Sequence, residues 1–171
     1  MSRLVPNNDP RGVTLLEVMT SLAIASTLMT ASMVVLRSNY AVWTVHETEL
    51  DRAGAANAVL RRIVRGVRQS VSVVAITPAS QSSGALTLEQ ADGTTESWTH
   101  ASGAVTYRVN SDAEQTLSDA ITSLVLEGYE ADGTTLTTVP ADVHSIRCTV
   151  TTTAPTGGAR SASSYAWLRA W

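Results

Sequence analysis

Residues 13–36 read VTLLEVMTSLAIASTLMTASMVVL, and the reading of this stretch decides what kind of chain this is. Glu17 is its one charged residue; nothing from Val18 to Leu36 is charged, and neither Gly nor Pro interrupts it. As a helix rising 1.5 Å per residue it spans roughly 36 Å, enough to cross the hydrocarbon core of a bilayer with some tilt. Arg11 bounds one end and Arg37 the other. A secretory signal peptide fits poorly, because the apolar run exceeds the usual h-region of about 7–15 residues. Thr30-Ala31-Ser32 offers only an ill-bounded small-x-small cleavage site. A plain single-pass anchor is a second reading. Neither accounts for Glu17. A carboxylate inside a membrane segment costs on the order of a few kcal/mol unless it is paired or protonated, so Glu17 is a functional candidate whose partner has to be named.

The residues just before it suggest that partner. Arg11-Gly12-Val13-Thr14-Leu15-Leu16-Glu17-Val18 resembles the prepilin processing motif of type IV pilins and type II secretion pseudopilins. That family joins a short polar leader ending in Gly to an apolar run with one Glu at a fixed spacing. Val13 stands where the family most often has Phe, and Leu16 where Ile is commoner; both remain apolar. The resemblance implies cleavage by a membrane-embedded prepilin peptidase between Gly12 and Val13, methylation of the new amine of Val13, and Glu17 as the fifth mature residue, acting in assembly. It also implies the partners: other pseudopilins or pilins, the prepilin peptidase/methyltransferase, an inner-membrane assembly platform and the lipid bilayer. The expected location is the bacterial inner membrane, single-pass, with the N-terminus cytoplasmic and the head periplasmic, moving into a periplasmic filament.

Elementary chemistry agrees with this division of labour. A polar leader carrying Arg3 and Arg11 favours the cytoplasmic side. Gly12, lacking a side chain, can enter a protease cleft in an extended conformation. Cleavage leaves an ammonium on Val13, and a methylated amine stays protonated. In low dielectric that cation and the Glu17 carboxylate of a neighbouring subunit attract strongly, and leaving either unpaired is costly.

Beyond Leu36 there is no Pro before position 71, and the only Gly residues are Gly54 and Gly66. Leu50, Ala53, Ala56, Leu60, Ile63, Val64 and Val67 recur at three- and four-residue steps, the pattern of an amphipathic helix, with Arg61, Arg62, Arg65 and Arg68 on the other face. The spacing predicts one helix from Val13 to about Ser70. The arginines invite a phosphate or lipid-headgroup reading; the simpler reading is a solvated face with cations near a helix C-terminus. Residues 37–70 carry six Arg against three acids, and residues 71–171 four Arg against ten acids. The basic helix is therefore expected beside an acidic head, its own or a neighbour's.

From Val71 onward short strand-like runs alternate with turn signals: residues 71–76, 85–89, 94–99, 105–109, 121–129, 134–139, 144–153 and 163–171. Ala-Asp-Gly-Thr-Thr occurs at 91–95 and again at 131–135, and Asp-Gly between strand-like segments predicts a hairpin at each. Residues 155–158 read as a loop. Tyr165, Trp167 and Trp171 alternate, predicting a last strand with a buried aromatic face. The expected fold class is α+β: a long N-terminal helix, its first half membrane-spanning, packed on an antiparallel β head, as in pilins. The expected divisions are a leader over 1–12, a transmembrane half-helix over 13–36, an amphipathic periplasmic half over 37–70, and the head over 71–171.

Within the head the order of features is similar to J-type minor pseudopilins and W-type minor pilins. An Arg-rich helix end (60–69) precedes a strand, Tyr107-Arg108 follows, then residues 117–129, and then a Pro-led strand from Val139-Pro140. The presence of Glu17 argues against the K-type tip subunit, whose family lacks that acid. Val34 and Ser26 stand where many major pilins have Pro and Gly, which points away from a main-shaft role. The implied function is that of a minor, tip-associated pseudopilin of a type II secretion pseudopilus. Alternatives are a minor type IV pilin serving pilus assembly, adhesion or DNA uptake, and a membrane-tethered β domain that does not polymerise.

Composition excludes other classes. At 171 residues, net charge −3 and 44 % hydrophobic content, the chain is neither disordered nor a polyanion binder, and no nucleic acid is expected as a partner. Its one cysteine, Cys148, precludes a disulfide framework and any multi-thiolate zinc site, and reads as a small core residue. His46, His100 and His144 form no metal-binding pair, and Asp112, Glu114 and Asp119 match no calcium loop. No nucleophile elbow or phosphate loop is present. No enzyme activity, catalytic residue, metal or cofactor is expected.

Overall fold

The computed structural model describes residues 12–154 and 157–169. Among these, one α-helix, α1 (Leu15–Gln69), precedes nine strands: β1 (Ser70–Ile76), β2 (Ala85–Gln90), β3 (Thr95–Ala101), β4 (Ala104–Val109), β5 (Gln115–Ser118), β6 (Ser123–Tyr129), β7 (Leu136–Thr137), β8 (Ser145–Thr153) and β9 (Ala159–Trp167). The α+β class expected from the sequence is the class observed. Contacts divide the chain into two compact units between Thr44 and Val45.

The first unit is helical from Leu15, and every described side chain before Thr44 is exposed. Its most apolar 18-residue window has a mean hydropathy of 1.7, and the helix is long enough to cross a bilayer. The hydroxyls from Thr20 to Ser32 are satisfied internally. Thr20 and Ser21 donate to the Glu17 carbonyl at 3.1 and 2.7 Å, Thr30 to Ser26 O at 2.8 Å, and Ser32 to Leu28 O at 2.8 Å. Back-bonding of this kind lets Ser and Thr sit in a helix whose surroundings offer no water.

In the second unit α1 buries Ala56, Val59, Leu60, Ile63 and Val67, a three–four repeat. Two antiparallel sheets, ordered β1-β2-β3-β4-β5 and β7-β6-β8-β9, supply the rest of the core through Leu86, Leu88, Trp98, Leu124, Leu126, Ile146 and Val150. Each such side chain removed from water contributes roughly 1.5–3 kcal/mol. The sheets meet where Gly84 N donates to Leu124 O at 2.8 Å and Leu124 N to Ser82 O at 2.9 Å. Both Ala-Asp-Gly-Thr-Thr segments close hairpins, β2–β3 and β6–β7, with Gly93 and Gly133 at φ +82° and +69°. In each, an Asp carboxylate accepts the Thr N–H two residues on, at 2.9 Å. Those hydrogen bonds, led by the Thr135 hydroxyl for Asp132 and the Thr94 hydroxyl for Asp92, hold both carboxyls below their usual range.

The structure departs from the sequence expectations in four places. Leu50 and Ala53 are exposed, and the buried stripe starts at Ala56. The interface closes there with a polar rim: Arg160 meets Glu49 at 3.5 Å and Arg52 donates to the Thr153 carbonyl. The last strand turns its aromatics outward, with Trp167 48 % exposed, and it is Ala166 that is buried beside Ile146. Small inner residues leave room for the helix, and Tyr165 and Trp167 meet edge to face on the outer side with centroids 5.8 Å apart; Trp171, Pro155 and Thr156 lie outside the described residues. Finally, β5 is a strand the pattern missed, since Leu117 is its only apolar residue and a bulge breaks its register with β4. The expected strand at 134–139 shrinks to Leu136–Thr137 because Pro140 opens a 3-10 turn.

Gly66 lies where α1 meets Trp98 of β3: a Cβ there would sit 2.3 Å from Trp98 Cη2 and 2.8 Å from Cζ2. Gly66→Ala is therefore expected to cost about 1–3 kcal/mol by overpacking. A lowered urea midpoint with an unchanged slope, in the detergent-solubilised chain, is the predicted result; an unshifted midpoint contradicts this packing.

Candidate functional site at the start of the helix

Gly12, Val13 and Thr14 are exposed and outside regular structure, and α1 begins at Leu15. The Gly12–Val13 peptide bond therefore lies outside the helix and is uncovered. Thr14 fixes where the helix starts. Its hydroxyl accepts the Glu17 N–H at 3.3 Å, and its carbonyl accepts the Glu17 and Val18 N–H groups at 3.1 and 3.2 Å. Thr14 is thus the N-cap and Glu17 the third helical residue, the Thr-x-x-Glu spacing of a capping box. A carboxylate in the first turn is also favoured by the helix dipole.

Val13, Glu17 and Ser21 line one shallow groove with Val18, Leu22 and Ala25, an open volume of about 430 Å³. Residue 13 and the carboxylate at 17 therefore share one side of the helix. Among the described residues Glu17 has no side-chain hydrogen bond and no ion pair. The structure brings Val13 and Glu17 to one face and gives the acid no partner among the described residues.

The remaining sequence candidates fall elsewhere. Arg61, Arg62, Arg65 and Arg68 are exposed. Arg62 stacks over the Tyr107 ring at 4.4 Å, and Tyr107 donates to Glu96 Oε1 at 2.6 Å. None of the four meets a carboxylate among the described residues. The basic helix thus packs on this chain's own head without pairing these four arginines to its carboxylates. Cys148 is buried on β8, and burial pushes its thiol up to about 12. His100 is buried with Nε2 3.0 Å from Ile121 O. Glu114, one of the three acids weighed as calcium ligands, pairs with Arg108 at 3.0 Å. The sequence reading missed Thr14 as a cap, although Thr-x-x-Glu was there to be read.

A long N-terminal helix with an apolar, uncovered first part, followed by antiparallel sheets that pack on its later turns, is a pilin-like α+β architecture. Residues 7–33 match the prokaryotic N-terminal methylation motif. This prepilin-type motif supports a place among type IV pilins and pseudopilins, which are structural subunits. It implies processing by a prepilin peptidase and assembly with other pilins, and with the apolar helix it suggests inner-membrane anchoring. No curated protein matches the chain.

Loss of the cap has a local consequence. Thr14→Ala, which removes about 1 kcal/mol of N-cap stabilisation, is expected to speed amide exchange at Glu17 about fivefold in micelles, whereas Thr14→Ser retains protection. Equal exchange in all three chains contradicts the capping role.

Proposed function

We propose that this chain is a minor pseudopilin of a type II secretion pseudopilus, placed near the filament tip and structural in its role. It enters the inner membrane with residues 1–12 as a cytoplasmic leader, residues 13–36 in the bilayer, residues 37–70 as the periplasmic half of the helix, and residues 71–171 as the head. Prepilin peptidase hydrolyses the Gly12–Val13 bond, and the new amine of Val13 is methylated. The observation that carries this reading is Glu17, the lone charge between Val13 and Leu36, five places beyond a glycine and without a partner among the described residues.

In a filament the methylated ammonium of one subunit meets the Glu17 carboxylate of the next. Neither charge is stable alone in hydrocarbon, so the pair sets the axial register of neighbouring helices. The shared face of Val13 and Glu17 supports this, since each helix offers cation and anion on the same side.

Two variants separate the steps. A bulky residue at Gly12 leaves an uncut precursor, visible as a slower band on a gel. Glu17→Ala is cut normally but enters sheared filaments at about one-tenth of the parent level, equivalent to about 1.4 kcal/mol. Normal incorporation of the Glu17→Ala chain refutes the registering role, and normal cleavage of the Gly12 variant refutes the processing site.

A further inference from the structure

The outer strand of the four-stranded sheet, β9, pairs with β8 along all nine residues without a bulge, and no described strand pairs with its other side. It contains no proline, and Arg160 is its one charged residue. A regular edge with so little protection is a template for an added strand. Ala162 and Ala166 of β9 pack on the core, and a strand laid along the free side would likewise turn every second side chain towards the helix. Between Ser163, Ser164 and α1 lies an open groove of about 790 Å³, with Leu60, Arg61, Arg65 and Arg68 on the helix side and no acidic residue in its lining. Arg61 donates to Asn57 O in its own helix at 3.2 Å, and none of the three arginines meets a carboxylate among the described residues. Three guanidiniums around one groove repel one another, and a carboxylate placed among them relieves that repulsion. Free backbone on one side of the groove and guanidiniums on the other call for an occupant that is both extended and acidic.

A second copy of this chain offers no such segment at its outer strands. Besides β9 these are β1 and β5 of one sheet and β7 of the other, and none of them contains Asp or Glu. An acidic strand for this groove therefore comes from a different chain.

We propose that the β9 edge and the arginine row of α1 form one docking surface for a strand of a different filament subunit, with Asp or Glu at every second position. The added strand bonds to the β9 backbone while its acids meet Arg61, Arg65 and Arg68. This rests on the reading of the chain as a minor filament subunit, and it gives the chemistry of one of its neighbours.

The test uses the full-length chain in zwitterionic micelles and a fluorescent peptide of about ten residues alternating Thr and Glu, the length of a long strand, with binding read by anisotropy. Replacing each Glu by Lys weakens binding about tenfold, Arg65→Glu in the chain does the same, and Arg65→Lys stays within about twofold of the parent. N-methylation separates strand addition from capture by charge alone. A strand presents its N–H groups alternately to its two edges, so methylating the odd amides blocks one edge and methylating the even amides blocks the other. One methylated peptide binds like the parent and the other about tenfold more weakly, whatever direction or register the strand takes. Equal binding of the Glu and Lys peptides, equal behaviour of the two methylated peptides, or an Arg65→Glu chain that binds like the parent overturns the proposal. Phosphatidylglycerol bicelles that displace the peptide at matched negative charge overturn it in favour of a lipid headgroup, and a dimer of the chain that the peptide disperses overturns it in favour of a second copy. The measurement needs no filament, so the two failures are distinct. In membranes with active prepilin peptidase, a chain that keeps its leader refutes the filament reading, whereas a trimmed chain that fails the peptide test refutes the docking surface alone.

Discussion

A carboxylate that enters hydrocarbon must give up its charge or find a counter-charge, and Glu17 sits in a helix where nothing else within reach along the sequence is ionised from Val18 to Leu36. The chain supplies a helix start, through the Thr14 cap, that holds the acid in the first turn. Among the described residues no cation pairs with it. A counter-charge made by proteolysis at the glycine boundary answers that need with the least new chemistry: one peptide bond is hydrolysed, and the amine appears on the same helix face as the acid. Everything proposed about assembly follows from this pairing requirement.

The rest of the chain is organised differently. From Ala56 onward α1 is an ordinary amphipathic helix whose apolar stripe is covered by two sheets, with Trp98 seated against Gly66 and with Arg62 stacked on Tyr107. Its outward face keeps a row of arginines that meet no carboxylate among the described residues. The same helix thus carries two unanswered charges of opposite sign, an acid at its start and a basic row at its end. Both are the kind of feature that a neighbouring subunit can complete.

Much of this was legible in the residues. Helix length followed from an uninterrupted run without Pro, and two hairpins followed from the repeated Asp-Gly turns. The misreadings have physical causes. Leu50 fits the helical period, but period alone does not say where the sheets stop, and here a Glu49–Arg160 contact marks the rim. The aromatic alternation of Tyr165 and Trp167 shows correctly that they share a face, yet it cannot say which one; the inner face went to Ala162, Ser164 and Ala166, next to the helix. β5 carries a single apolar residue, so its pairing rests on backbone bonds to β4 that leave no mark in hydropathy. At the candidate site the glycine, the acid and their spacing were all readable, because the motif is local; the lack of a partner for Glu17 required the structure.

The most direct measurement is the intact mass of the chain recovered from membranes that contain an active prepilin peptidase. A species starting at residue 13 and heavier than the bare peptide by one methyl group, placed on the Val13 amine by fragmentation, is the result expected here. A chain that still carries Met1, or one cut anywhere other than after Gly12, leaves Glu17 without the cation on which the account depends.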